Sequence, residues 1–203
     1  SVKISVPQIG SAAPTFTADA VVNGKIEQVS LSTYTQAGKW VVLFFYPLDF
    51  TFVCPTEIIA FSKASAQFSE INTQVLGVSV DSVYAHLAWI NTPQKAGGLG
   101  ACNCPLLADV SRSISADYGA LHANTGFTLR ATYIIDPAGN VRHLSLNEPP
   151  VGRNIDEFLR LVKAFQFHDK NGEVCPASWQ PGADTMSADP VGSLKYFEKH
   201  GTA

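Results

Sequence analysis

The sequence predicts an α/β fold, a central mixed sheet flanked by helices, and three observations carry that prediction. Residues 41–46, VVLFFY, form a short continuous run of β-branched and aromatic residues, the pattern of a strand buried on both faces. A second such run, VLGVSV at 75–80, follows a helical pattern, and strand, helix and strand in that order make the two strands parallel neighbours. In the second half, ATYIID at 131–136 and VRHLSLN at 141–147 flank Pro137-Ala138-Gly139-Asn140, a turn that predicts an antiparallel hairpin.

The helices follow from spacing and caps. From Pro55 onward, Ile58, Phe61, Ala64, Phe68 and Ile71 recur every three or four residues, which predicts an amphipathic helix. Pro55 suits its first helical position and Glu57 its first turn. Asp81 or Ser82 is placed to cap a helix through Val83, Leu87 and Ile90. Ser111 to Tyr118 reads as a short helix between the halves. Asn154 caps a last long helix, with Glu157 at the capping-box position and Ile155, Phe158, Val162 and Phe165 on one face. A βαβ half followed by a ββα half is the thioredoxin arrangement, here with an N-terminal extension. After His168 the chain turns rich in Gly, Pro, Ser and Asp and reads as a surface arm ending in one more short helix, LKYFEKH. The expected division is a domain over 1–169 and a C-terminal arm over 170–203.

Composition narrows the function. Hydrophobic content of 46% with 15% charged residues is that of an ordinary globular chain, and a net charge of −3 leaves no footprint for nucleic acid or an anionic membrane. No apolar run approaches the roughly 20 residues that span a bilayer. The segment SVKISVPQIG has neither a signal-peptide nor a transit-peptide pattern. Four cysteines in 203 residues are too few for a disulfide scaffold and suit a reducing compartment with one or two working thiols. A cytoplasmic setting is therefore expected, with the mitochondrial matrix or another reducing organelle, after transit-peptide removal, as the alternative. No cofactor and no metal are expected.

Cys54 is the residue that points to chemistry. It lies just past the buried strand 41–46 and at the start of the helix that follows. Free backbone N–H groups and the positive end of the helix dipole favour an anion at such a position, and cysteines held there are generally the reactive ones. Ionisation is only part of what a fast nucleophilic thiol needs. Lowering a thiol from about 8.5 to about 6 raises its anionic fraction at neutrality roughly 30-fold, near 2 kcal/mol. Something must also stabilise charge on the departing oxygen. The Thr51 hydroxyl and one cation are the natural suppliers. Arg130, at the entrance to strand 131–136, is the first choice and Arg153, before the last helix, the second. Helices of this architecture commonly begin with Cys-x-x-Cys, whereas here the four positions are Thr51-Phe52-Val53-Cys54. A second thiol must then come from elsewhere. Cys102, Cys104 and Cys175 remain, and only Cys175 lies in a segment that reads as free to travel.

The stretches FYPLDFTFVCPTE at 45–57, GVSVDSVYAHLAW at 77–89, GGLG at 97–100, PVGR at 150–153 and EVCPASWQPG at 173–182 resemble a typical 2-Cys peroxiredoxin over essentially the whole chain. The resemblance implies a thiol peroxidase acting on hydrogen peroxide and alkyl hydroperoxides. In it Cys54 is the peroxidatic cysteine, Pro47, Thr51 and Arg130 complete the active site, and Glu57 and Arg153 support the arginine. Cys175 is implied as the resolving cysteine, acting on Cys54 of a partner subunit. Homodimers assembling into a decamer, and a thioredoxin-like reductant, are the implied partners. Gly97, Gly98, Leu99 and Gly100 together with Tyr196 and Phe197 resemble the paired motifs of peroxide-sensitive members, in which a slow-moving C-terminal helix leaves the sulfenic acid open to further oxidation.

Two features depart from the pattern. Arg130 is followed by Ala131-Thr132-Tyr133, and Cys102-Asn103-Cys104 follows the GGLG segment. The cysteine pair lacks the further ligands a metal site needs and reads as incidental. The five histidines, at 86, 122, 143, 168 and 200, are scattered, which argues against a Cys-His hydrolase. A second reading, from another class, is a holdase chaperone or peroxide sensor whose oligomer carries the function. A third, a general disulfide oxidoreductase, is opposed by Thr51 at the first motif position.

Overall fold

The computed structural model describes residues 6–201. Strands Thr17–Val22 (β1) and Lys25–Ser30 (β2) form an antiparallel hairpin turned by Asn23 and Gly24, both at positive φ. This hairpin occupies what the sequence reading leaves as an N-terminal extension. A short helix Leu31–Thr35 (α1) leads to strand Trp40–Phe45 (β3), helix Cys54–Glu70 (α2), strand Thr73–Ser79 (β4) and helix Val83–Asn91 (α3). The Ser82 hydroxyl caps α3 by accepting from the Ala85 amide, which settles the choice left open with Asp81. A 3-10 turn at Gln94–Ala96 precedes the short strand Leu106–Ala108 (β5) and helix Ser113–Asp117 (α4). Strands Arg130–Ile135 (β6) and Val141–Asn147 (β7) make the expected hairpin.

The seven strands form one sheet in the order β2-β1-β5-β4-β3-β6-β7. β3 runs parallel to β4 and β4 to β5, while β6 is antiparallel to β3, so the sheet is mixed as the two halves require. Every residue of β3 is buried. Its alternate side chains serve two cores. Val41, Leu43 and Phe45 join Tyr118 and Tyr133 in the main cluster. Phe44, on the opposite face, stacks on Phe61 of α2 with ring centroids 4.3 Å apart. Central placement of β3 between β4 and β6 fixes the start of α2 beside the start of the antiparallel β6, and that juxtaposition builds the site.

The chain divides into two compact units, residues through Ile155 and residues from Asp156 onward. The second unit consists of helix Ile155–Asn171 (α5), the segment after it and helix Leu194–His200 (α6). That segment is tied to α5. The Phe167 and Trp179 rings lie 5.2 Å apart, Arg160 Nη1 donates to Trp179 O at 3.1 Å, and Val174 pairs with Met186 in an isolated bridge. Trp179 is buried by these contacts, while the rest of the arm's described residues are exposed or half-buried.

Candidate active site

Cys54 is the first residue of α2, one position before the proline expected to open the helix. Val53 occupies the N-cap and supplies no side-chain cap, so the polar demand of the first turn is met by the chain around it. The Cys54 side chain is buried. Arg130 Nη1 lies 3.5 Å from its sulfur and also donates to Glu57 Oε2 at 2.7 Å, while Arg130 Nε donates to Pro149 O at 2.7 Å. One turn along α2, Glu57 receives Arg153 as well. Arg153 Nε and its backbone N–H both reach Glu57 Oε1 at 2.9 Å, and Nη2 reaches Oε2 at 2.8 Å. Arg153 Nη1 donates to Ala131 O at 2.9 Å and to Thr132 Oγ1 at 3.1 Å, and the guanidinium carbon lies 5.0 Å from the centre of the Phe44 ring.

These three charged side chains are almost fully enclosed. Burial by itself would raise the Glu57 carboxyl, but the hydrogen bonds and charge of Arg153, joined by Arg130, hold it below its ordinary value. Burial likewise lowers Arg153, opposed by Glu57. Two guanidiniums against one carboxylate leave one unit of positive charge in excess beside the Cys54 sulfur. A thiolate there makes the enclosure neutral. A thiol does not.

Thr51 and Pro47 lie in the loop between β3 and α2. Pro47 is buried and Thr51 half-buried. Thr51 Oγ1 donates to Leu48 O at 2.8 Å, so its proton is committed to the backbone and the oxygen retains acceptor capacity only. This differs from the sequence expectation of a hydroxyl that donates to the departing oxygen. The same loop is held by a network that sequence reasoning missed. Asp49 accepts from the Tyr46 hydroxyl at 2.9 Å and sits 2.7 Å from Nδ1 of the fully buried His86, whose Nε2 lies 3.1 Å from Leu107 O. The Asp49 amide donates to Asp81 Oδ2 at 2.9 Å. Burial raises the Asp49 carboxyl, with His86 opposing. Phe50 follows at φ 53°, a left-handed conformation unusual for a bulky residue. The signal available in the sequence was His86 on the apolar stripe of α3, a polar group that must find a buried partner.

The 97–100 segment is pinned to the end of α3. Trp89 Nε1 donates to Gly97 O at 2.8 Å, and the Gly98 and Leu99 amides donate to Pro93 O and Trp89 O, each at 3.0 Å. Leu99 is buried and Gly97 stands at φ 80°. In the second unit, Tyr196 of α6 stacks on His200 with centroids 4.4 Å apart, and Phe197 remains 52% exposed. Cys175 is half-buried, its sulfur 3.7 Å from Ala164 O, and burial raises its thiol above the ordinary value while Arg160 opposes. Among the described residues no group of three or more His, Cys, Asp and Glu side chains could hold a metal ion, and no helix is long and apolar enough to cross a membrane.

The geometry is a buried thiol at a helix start, facing an arginine in an electropositive enclosure. Residues 9–144 match the profile of the AhpC/TSA family. The chain belongs to the AhpC/TSA family of peroxiredoxins. Residues 164–199 of this peroxiredoxin further match the C-terminal domain of 1-Cys peroxiredoxin. It is 57% identical to Peroxiredoxin-2 of Bos taurus across 95% of this chain and 96% of that one. Identity to Peroxiredoxin 2 of Drosophila melanogaster is 56%, across 95% and 98%. The crystal structure of reduced Plasmodium vivax 2-Cys peroxiredoxin superposes with a TM-score of 0.90 at 46% identity, covering 94% of this chain and 98% of that one. The peroxiredoxin is a thiol peroxidase of thioredoxin-like fold, and its substrate is a peroxide.

Proposed function

We propose that Cys54 is the peroxidatic cysteine and Cys175 the resolving one. The Cys54 thiolate attacks one peroxide oxygen. The S–O bond forms as the O–O bond breaks, the sulfur is oxidised to a sulfenic acid, and the second oxygen leaves as water or an alcohol after taking a proton. Arg130 stabilises charge on the departing oxygen, and Thr51 accepts a hydrogen bond from the bound peroxide, with Pro47 shielding the thiol. Glu57 and Arg153 act as positioning residues for Arg130. The Cys175 sulfur then attacks the Cys54 sulfenic sulfur, the S–S bond forms and water leaves, and an external dithiol protein of thioredoxin type returns both sulfurs to the thiol state. The observation that carries this reading is the 3.5 Å approach of Arg130 Nη1 to Cys54 Sγ inside an enclosure with one excess positive charge.

Family membership supports the remaining parts. Cys175 serves Cys54 of a partner subunit, the dimers close into a decamer, and the compartment is a reducing one such as the cytoplasm. Gly97, Gly98, Leu99 and Gly100 with Tyr196 and Phe197 regulate over-oxidation by slowing release of the arm over residues 170–203. The contacts that tie Trp179 to α5 support that role, because they must break before Cys175 can travel. The test is non-reducing electrophoresis after one equivalent of peroxide. A disulfide-linked dimer is expected from the parent and from neither Cys54→Ser nor Cys175→Ser. A dimer retained by Cys175→Ser would remove the resolving role. Peroxide consumption by Cys54→Ser at the parent rate would remove the peroxidatic one.

A further inference from the structure

Two of the four cysteines take no part in the proposed cycle, and the fold brings them together. Cys102 Sγ lies 3.4 Å from Cys104 Sγ and also reaches Cys104 O at 3.4 Å. The loop that carries them is fastened to α2 through Asn103, whose amide donates to the Ser62 hydroxyl at 2.9 Å. Both residues are enclosed, Cys102 at 9% exposure and Cys104 at 3%. Beside them opens a pocket of about 260 Å³ lined by Cys104 and Asn103 with Lys39, Ser65, Ser69 and Gln74. A water molecule's share of liquid volume is only about 30 Å³, so a peroxide enters such a space readily.

From this contact and this pocket we infer that Cys102 and Cys104 form a second redox site, a vicinal dithiol that peroxide converts to an intramolecular disulfide. One sulfur, as thiolate, attacks a peroxide oxygen; the O–O bond breaks, a sulfenic acid forms and the second oxygen leaves as water or an alcohol. The other sulfur then attacks the sulfenic sulfur, the S–S bond forms, and water carries off the hydroxyl. Overall one dithiol and one peroxide give one disulfide, one alcohol or water, and one further water. The two sulfurs are unequal. The Cys104 thiol hydrogen-bonded to Cys102 lowers Cys102 from the ordinary thiol value, whereas Cys104 is pushed up, first by that same hydrogen bond and then by burial. Of the two, Cys104 lines the pocket, while Cys102 Sγ donates to Cys104 O at 3.4 Å. No guanidinium hydrogen-bonds to either sulfur among the described contacts, so the reaction is slow beside that of Cys54. Closure across a single intervening residue strains the ring, and a strained disulfide is easily reduced. The site therefore responds to sustained peroxide and resets under reducing conditions.

The test removes the other two thiols. In Cys54→Ser/Cys175→Ser, Cys102 and Cys104 are the only cysteines left. Excess hydrogen peroxide is expected to lower the intact monomer mass by two hydrogens, with restoration by dithiothreitol and no such loss when Cys102→Ser is added. Peptide mapping of the peroxide-treated parent should recover the same Cys102–Cys104 link, which covers a folding defect in the variants. Gain of one or more oxygens without loss of hydrogens, a disulfide-linked dimer, or thiols that stay reduced would each overturn the inference. Because Cys54 and Cys175 are absent from the assay, these outcomes are independent of the roles proposed for them.

Discussion

Replacing Arg130 with methionine isolates the contribution of its charge. Nη1 stands 3.5 Å from the Cys54 sulfur, and at an effective dielectric near 20 two unit charges at that distance attract by roughly 5 kcal/mol. Methionine keeps much of the apolar stem volume, and water entering the vacated space returns part of the attraction. Loss of one donor aimed at developing negative charge elsewhere costs about 3–4 kcal/mol, a factor of roughly 10²–10³. The same range is expected for kcat/KM in Arg130→Met. The fold should survive, because Glu57 keeps three hydrogen bonds from Arg153 and the buried pair becomes neutral. The assay is stopped-flow peroxide consumption with excess reductant, alongside a urea melt to show that the variant is folded. A folded Arg130→Met within about threefold of the parent would refute the argument, since so small a change corresponds to well under 1 kcal/mol of transition-state stabilisation.

Glu57→Gln removes the carboxylate between two buried guanidiniums and should destabilise by about 3–5 kcal/mol in urea unfolding. Because the Glu57 carboxyl is held below its ordinary 4.5, it contributes stability that is present above that value and lost as pH falls through the lowered folded value; the acid limb of the stability profile should be shallower in Glu57→Gln. His86→Leu leaves the buried Asp49 with the Tyr46 hydroxyl as its remaining side-chain partner, and a comparable loss of about 3–5 kcal/mol is expected by the same measurement. Gly98→Ala would set a Cβ 1.9 Å from Thr92 O, whereas a Cβ at Gly97 meets nothing within 4 Å and is opposed only by φ 80°. Gly97→Ala should therefore cost about 1 kcal/mol and Gly98→Ala distinctly more, read as the difference in thermal midpoint. Amide hydrogen exchange at the first turn of α2 should be faster in the oxidised, disulfide-linked protein than in the reduced one; equal rates would count against the charge argument below.

The sheet's centre was legible because its strands are buried on both faces and read as unbroken apolar runs. β3 and β4 fall within two residues of their expected bounds. β1 and β2 were missed for the opposite reason. TADAVV and KIEQVS carry mixed polarity, as strands near an edge do: β2 is the sheet edge, and β1 pairs inward with β5, a three-residue strand too short to announce itself. The Asn23-Gly24 pair between them was the available signal, since it is the turn most typical of two-residue hairpins. At the site, Cys54 was legible from position along one helix, and Arg130 from its place at a strand end. The convergence of Glu57 and Arg153 was implied by the resemblance and not by spacing, because 96 residues separate them and the fold brings them together. Thr51 shows a finer limit. Its residue type was readable, but the direction of its proton depends on the Leu48 carbonyl, a fact of loop geometry. At the arm, the buried Trp179 was the one anchor that composition did not single out.

The three charges around Cys54 explain one another. A guanidinium buried alone at Arg130 would lack the hydration that keeps it stable, at a penalty of several kcal/mol. Glu57 offsets that penalty, but a single Arg–Glu pair is neutral and offers a sulfur anion nothing beyond a dipole. Arg153 restores the excess charge, and it fixes the carboxylate through three donors, so that the Arg130 Nη1 that donates to Glu57 Oε2 is also held 3.5 Å from the sulfur. The arrangement is neutral only while the sulfur is an anion. In the proposed cycle that sulfur becomes a sulfenic acid and then half of a disulfide, the anion is lost, and one unit of positive charge is left enclosed without a counter-charge. On the proposed role of Cys54, the enclosure that favours the folded first turn of α2 in the reduced protein is expected to disfavour it once the anion is lost.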